Sequence, residues 1–191
     1  MNNAIRISFS IPCPENILWW AISILFIGAG ITSVIMHQAA RFTLDMSARP
    51  VSTQAFHRLF SKHKIAGLLN HIDMNARTSL ARGLRIDFAF MPCLYGLMIA
   101  ISLLVLRNSG MTSNWDLVLE VLCLLPLGTW LMDVLENIFS LQIIKIFNKG
   151  NTVSGTNSWL MGISSILKWS SGIIWLLIMC CLLITRIVAM L

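Results

Sequence analysis

Charged side chains are scarce in this sequence: 12% of 191 residues, where an ordinary soluble domain carries about 25%. A soluble fold covers its surface with charge, and here hydrophobic residues reach 57% and mean hydropathy +0.77. Those figures argue against a soluble enzyme and against a disordered chain. Cysteine is thin as well. Its 5 copies form no C-x-x-C pair; Cys93, Cys123, Cys180 and Cys181 fall inside apolar runs, and Cys13 stands alone between Pro12 and Pro14. Neither a disulfide scaffold nor a metal or redox motif can be built from that pattern. Nor does the sequence contain a Gly-rich phosphate loop, a G-x-S-x-G elbow or an H-E-x-x-H helix. What is present instead is length of apolar sequence, which indicates an integral membrane protein.

A hydrocarbon core about 30 Å thick needs roughly 20 apolar residues in a helix. Four stretches meet that length and set the expected spans at about 17–37, 87–106, 117–144 and 160–186 of a single membrane domain, 1–191. The predicted fold is all-α: a four-helix membrane bundle with a cytoplasmic amphipathic helix between the first two spans. The first span has no basic n-region and no A-x-A cleavage site, so it reads as an anchor, not a cleaved signal peptide. Orientation follows Lys and Arg. Residues 1–16 hold only Arg6, whereas the loop 38–85 holds Arg41, Arg49, Arg58, Lys62, Lys64, Arg77, Arg82 and Arg85. The loop 38–85 is therefore expected in the cytoplasm and both termini outside. The net charge of +6 sits beside the bilayer, where anionic lipids attract it, and calls for no nucleic acid.

Within that loop, Phe56, Leu59, Phe60, Ile65, Leu68, Leu69 and Ile72 recur at helical spacing and predict one amphipathic helix over Thr53–Ile72. Such a helix can lie among headgroups or pack on the inner ends of the spans. His57, His63 and His71 are six, eight and fourteen residues apart, which matches no common zinc pattern. They read as solvated histidines on a basic helix, and no metal or other cofactor is expected.

The informative residues are the ionisable ones inside the apolar runs, because charge at membrane depth is costly. Asp133, Glu136, Asn137 and Ser140 follow at i, i+3, i+4 and i+7, with Thr129 one turn earlier, and form one stripe on the third span. Ser164, Ser165, Lys168, Ser171 and Gly172 form another on the fourth, and Asp87, Phe90, Leu94 and Tyr95 share a face of the second. If the uncharged runs 88–106 and 169–185 cross the membrane, Asp87 and Lys168 both lie at its inner edge, and Asp133 and Glu136 lie within two turns of it. Lys168 is the natural partner of Asp133 or Glu136, and Tyr95 can donate to one of the acids. Small residues add possible close contacts: Gly28, Thr32 and Ala29, Ser33 on the first span, Cys93, Gly96 and Ala100 on the second.

The run RIDFAFMPCLYG, followed by DVLEN and then LKW, resembles a family of small bacterial four-span membrane proteins with the patterns D-x2-F-x4-Y and D-x2-E-N. The positions that carry the resemblance are Asp87, Phe90, Tyr95, Asp133, Glu136, Asn137, Lys168 and Trp169. It implies a bacterial inner membrane and a polar layer of Asp87, Tyr95, Asp133, Glu136, Asn137 and Lys168, and no activity.

Three functional readings use that layer. The leading one is a non-enzymatic scaffold or subunit of a membrane assembly, with a protein partner or a second copy of the chain. An enzyme acting on lipid headgroups at the cytoplasmic interface is the first alternative, and it requires a cavity that reaches the acids. A proton- or cation-linked carrier working as an oligomer is the other.

Overall fold

The computed structural model describes residues 14–41, 56–57, 59–108 and 116–190. These residues form five helices: α1 (Glu15–Arg41), α2 (Lys62–His71), α3 (Met74–Asn108), α4 (Asp116–Asn148) and α5 (Gly155–Met190). All but α2 are long and apolar enough to cross a membrane. The reason is chemical: in lipid no water meets a backbone N–H or C=O, so a spanning segment must satisfy its own, and a helix does so.

Three of the helices outrun a bilayer. At 1.5 Å per residue, the 35 residues of α3, 33 of α4 and 36 of α5 each extend about 50 Å. Helix α3 begins at Met74, inside the segment read from sequence as the loop 38–85, and Asp73 caps it by accepting the Ala76 N–H at 2.6 Å. Helix α4 ends in a Schellman turn, where Gly150 at φ 78° lets its N–H reach the Phe147 carbonyl and the Asn151 N–H reach Ile146. The turn sends the chain back along α4 as α5.

The extensions have a core of their own. Phe56, Ile65, Leu69, Ile72, Leu80, Leu84, Ile143 and Met161 belong to one buried cluster that joins α2 to the ends of α3, α4 and α5. The single helix expected over Thr53–Ile72 is not what forms. Helix α2 starts only at Lys62, Leu59–Ser61 is irregular, and 53–55 and Arg58 lie outside the described residues. Phe60 leaves helical register to cover Gly162 of α5, where a Cβ would collide with its ring. Helix α2 packs on the ends of the long helices, with Ile65 and Leu69 inward and Lys62, His63 and Lys64 exposed.

The long helices pack in chain order, α1 on α3, α3 on α4 and α4 on α5. The α1–α3 seam uses the small residues noted above: Gly28 faces Cys93, and Gly96 faces Leu25. A Cβ on Gly28 would sit 2.9 Å from the Cys93 sulfur, so Gly28→Leu should push α1 off α3. The expected loss is about 1–3 kcal/mol, the usual cost of overpacking. Thermal unfolding in detergent measures it, and adding Cys93→Gly should return part of the loss.

Candidate functional site

Charge is rare along these helices, yet the structure draws it together. Asp133 and Glu136 stand one turn apart on α4, and both are buried, at 5% and 0% exposure. Lys168 of α5 lies between them, its Nζ 2.8 Å from Asp133 Oδ1 and in contact with Glu136 Oε2. Tyr95 of α3 donates its hydroxyl proton to Asp133 Oδ2 at 2.8 Å. One turn further along α4, Asn137 Nδ2 donates to Asp87 Oδ2 of α3 at 2.8 Å. All six site residues expected from sequence therefore meet on three helices, and Lys168 serves both acids instead of one.

A seventh member comes from outside the spans. His57 is 6% exposed, and its Nδ1 lies 2.7 Å from Glu136 Oε1. The expectation that it is a solvated histidine is corrected here. Phe56, wholly buried in the cluster that joins α2 to the helix ends, carries its neighbour into the layer. His63 and His71 are exposed, and among the described residues no three His, Cys, Asp or Glu side chains are grouped to hold a metal ion. The two contacts of Glu136 are close but poorly aligned for hydrogen bonding. Charge, more than directed donation, holds that carboxylate. Nδ1 is the ring nitrogen that faces the carboxylate, and Nε2 meets no partner among the described residues.

A second polar node lies further along the helices and was not read from sequence. Pro126 removes the N–H that would have bonded the Leu122 carbonyl four residues back. Ser102 Oγ of α3 stands 3.3 Å from that carbonyl and accepts the Trp175 Nε1 proton of α5 at 3.0 Å. The proline itself was the available signal, since a carbonyl freed inside an apolar helix needs a donor. Between the two nodes, the Thr129 and Ser171 hydroxyls meet at 2.8 Å.

The layer is not sealed. A cavity of ≈ 130 Å³ opens beside it, where α1 and α5 stand apart over α3. Met36, Gly83 and Trp169 form its apolar walls, and His57, Asp87 and Lys168 its polar side. Asp133 and Glu136 stand behind those side chains and do not line it.

Tyr95→Phe tests the cheapest bond of the layer. Asp133 keeps Lys168, so the variant should fold and lose about 1.5–3 kcal/mol, the value of one hydrogen bond to a charged acceptor. A detergent melt of both proteins provides the comparison. No family model, curated protein or solved structure matches this chain.

Proposed function

We propose that the protein is a non-enzymatic, multi-pass protein of the bacterial inner membrane that serves as a scaffold or subunit of a larger assembly. The observation that supports this most is the continuous chain of contacts His57–Glu136–Lys168–Asp133–Tyr95, in which each group meets another side chain of the same protein. Such a clasp ties the inter-span segment, α3, α4 and α5 into one unit, a structural use for every charge it contains. The excess of Lys and Arg in 38–85 places that segment in the cytoplasm against anionic lipid, with both termini outside.

Purification of the full chain from its native membrane in mild detergent tests the reading. A stoichiometric protein partner or a stable homo-oligomer is expected, and it should persist when Asp133, Glu136 and Lys168 are replaced together by apolar residues of similar size. A lone monomer, or a folded triple variant that has lost its partner, would count against it. The cavity beside Asp87 favours a second reading, chemistry on lipid headgroups. Turnover of a radiolabelled phospholipid by the purified chain, abolished in Asp87→Asn, would establish that reading in place of the first.

A further inference from the structure

The basic residues of the inter-span segment are not spread evenly over its surface. Thr78, Arg82, Arg85, Ala89 and Pro92 of α3 are all exposed and follow at helical spacing, so they form one face. The opposite side of the helix carries Leu80, Leu84, Met91 and Tyr95, all buried. Arg82 and Arg85 stand three residues apart, where like charges repel. No acid lies three or four residues from either on α3, and every ion pair among the described residues belongs to the polar layer. A shared anion would relieve that repulsion.

The exposed faces of three helices fix how deep the pair sits. Along α1, exposed apolar residues run to Ile35 and give way to His37 and Gln38. Along α4 they run to Ile138 and give way to Gln142 and Lys145. Helix α1 is antiparallel to α3, and counting from the Gly28–Cys93 contact puts His37 level with Leu84. Helix α4 is antiparallel to it as well, and counting from the Asn137–Asp87 bond puts Gln142 level with Arg82. The change from apolar to polar surface thus falls at one level, that of Arg82 and Arg85. Arg107 closes the apolar run of α3 about 30 Å away, the thickness of a hydrocarbon core.

That depth and the residue type restrict the partner. At the edge of the hydrocarbon the abundant anion is the lipid phosphate, and a guanidinium pairs with phosphate through two parallel N–H donors. On the bilayer side of the pair the exposed face carries Ala89 and Pro92, whose short side chains leave room for an acyl chain. A zwitterionic phospholipid brings its own ammonium to offset its phosphate, whereas an acidic one leaves that charge to the protein. We propose that the face of α3 at Arg82 and Arg85 binds the headgroup of an acidic phospholipid, with an acyl chain over Ala89 and Pro92. This narrows the attraction of the whole 38–85 segment for anionic lipid to two of its arginines. It rests on the membrane reading and not on the scaffold, so a chain purified as a lone monomer should still retain the lipid.

Native mass spectrometry of the full chain from mixed micelles tests the site, with phosphatidylglycerol and phosphatidylethanolamine supplied in equal amounts. Wild type should retain phosphatidylglycerol about thirtyfold better, the combined attraction of two basic residues at a membrane surface. Arg82→Gln and Arg85→Gln should each cut the preference to about fivefold, and the double variant should lose it. Both side chains are exposed, so these variants should melt with wild type. Lys62→Gln with Lys64→Gln removes the same charge from α2, which packs on α4 and α5, and should leave the preference intact. Ala89→Leu keeps both arginines and fills the acyl path, so it should lower phosphatidylglycerol retention roughly threefold, the worth of about one buried methylene. Equal retention of the two lipids by wild type would overturn the proposal. So would an equal loss of preference in the lysine pair, which would reduce the effect to net charge. Unchanged retention in Ala89→Leu, or displacement of the lipid by millimolar inorganic phosphate, would assign the arginines to a soluble anion and overturn it too.

Discussion

Lys168→Met should lower the stability of the folded chain more than any other single change in the polar layer. The lysine stands between Asp133 and Glu136, which are 5% and 0% exposed, and among the described residues it is the one cation in contact with both. Methionine has nearly the same length, so packing survives while the charge goes. Two carboxylates one turn apart are then left facing each other without water. Breaking a buried ion pair from one side costs about 3–5 kcal/mol, because the remaining charge is uncompensated. For a chain of this size that corresponds to a fall on the order of 10 °C in detergent melting temperature. The companion variant distinguishes charge from shape. Asp133→Asn, Glu136→Gln and Lys168→Met together remove all the charge and should recover most of the loss, since neutral replacements of a buried ion cluster are often tolerated. If the single variant melted with wild type, the clasp would not be holding the helices.

Why Lys168 and the acids could be anticipated, and His57 could not, is a matter of range. Asp133, Glu136, Asn137 and Ser140 repeat at helical spacing, and a helix converts that spacing into a single stripe whatever lies around it. Lys168 stands at the edge of an apolar run, so its depth follows from counting residues. Local periodicity also makes four long apolar helices legible. The position of His57 depends on a contact between distant parts of the chain. Phe56 enters a cluster built from Leu80, Ile143 and Met161, and no pattern near residue 57 announces it. The break before α2 has the same origin. Phe60 follows the helical period, but it is drawn to Gly162, about a hundred residues away in the chain. Ser102 was hidden for a different reason: a serine on an apolar helix commonly bonds its own backbone, as this one does at Met98, 2.8 Å away. Only the neighbouring helix, with its proline-freed carbonyl at Leu122, gives it a second use.

Those non-local contacts make the polar layer depend on an apolar residue that touches no charge. Phe56→Ala should therefore have two effects, of which the second is the informative one. Phe56 is fully buried, so truncation removes a whole ring from the cluster that joins α2 to the ends of α3, α4 and α5. The expected loss is about 3–5 kcal/mol, the ordinary range for Phe→Ala in a core. Beyond this, the backbone next to His57 loses its anchor, and the 2.7 Å contact of Nδ1 with Glu136 should open. His57→Ala provides the comparison, because it deletes the ion contact and leaves the anchor in place. Hydrogen exchange across Lys62–His71 separates the cases: amides of α2 should exchange faster in Phe56→Ala and remain close to wild type in His57→Ala. If both variants loosened α2 equally, the charge contact would be holding the segment down and the ring would be a passenger. If neither did, α2 would be held by Ile65 and Leu69 alone. The expected order, with Phe56 dominant, follows from magnitudes: a buried aromatic ring outweighs one poorly aligned contact to a carboxylate that Lys168 already serves.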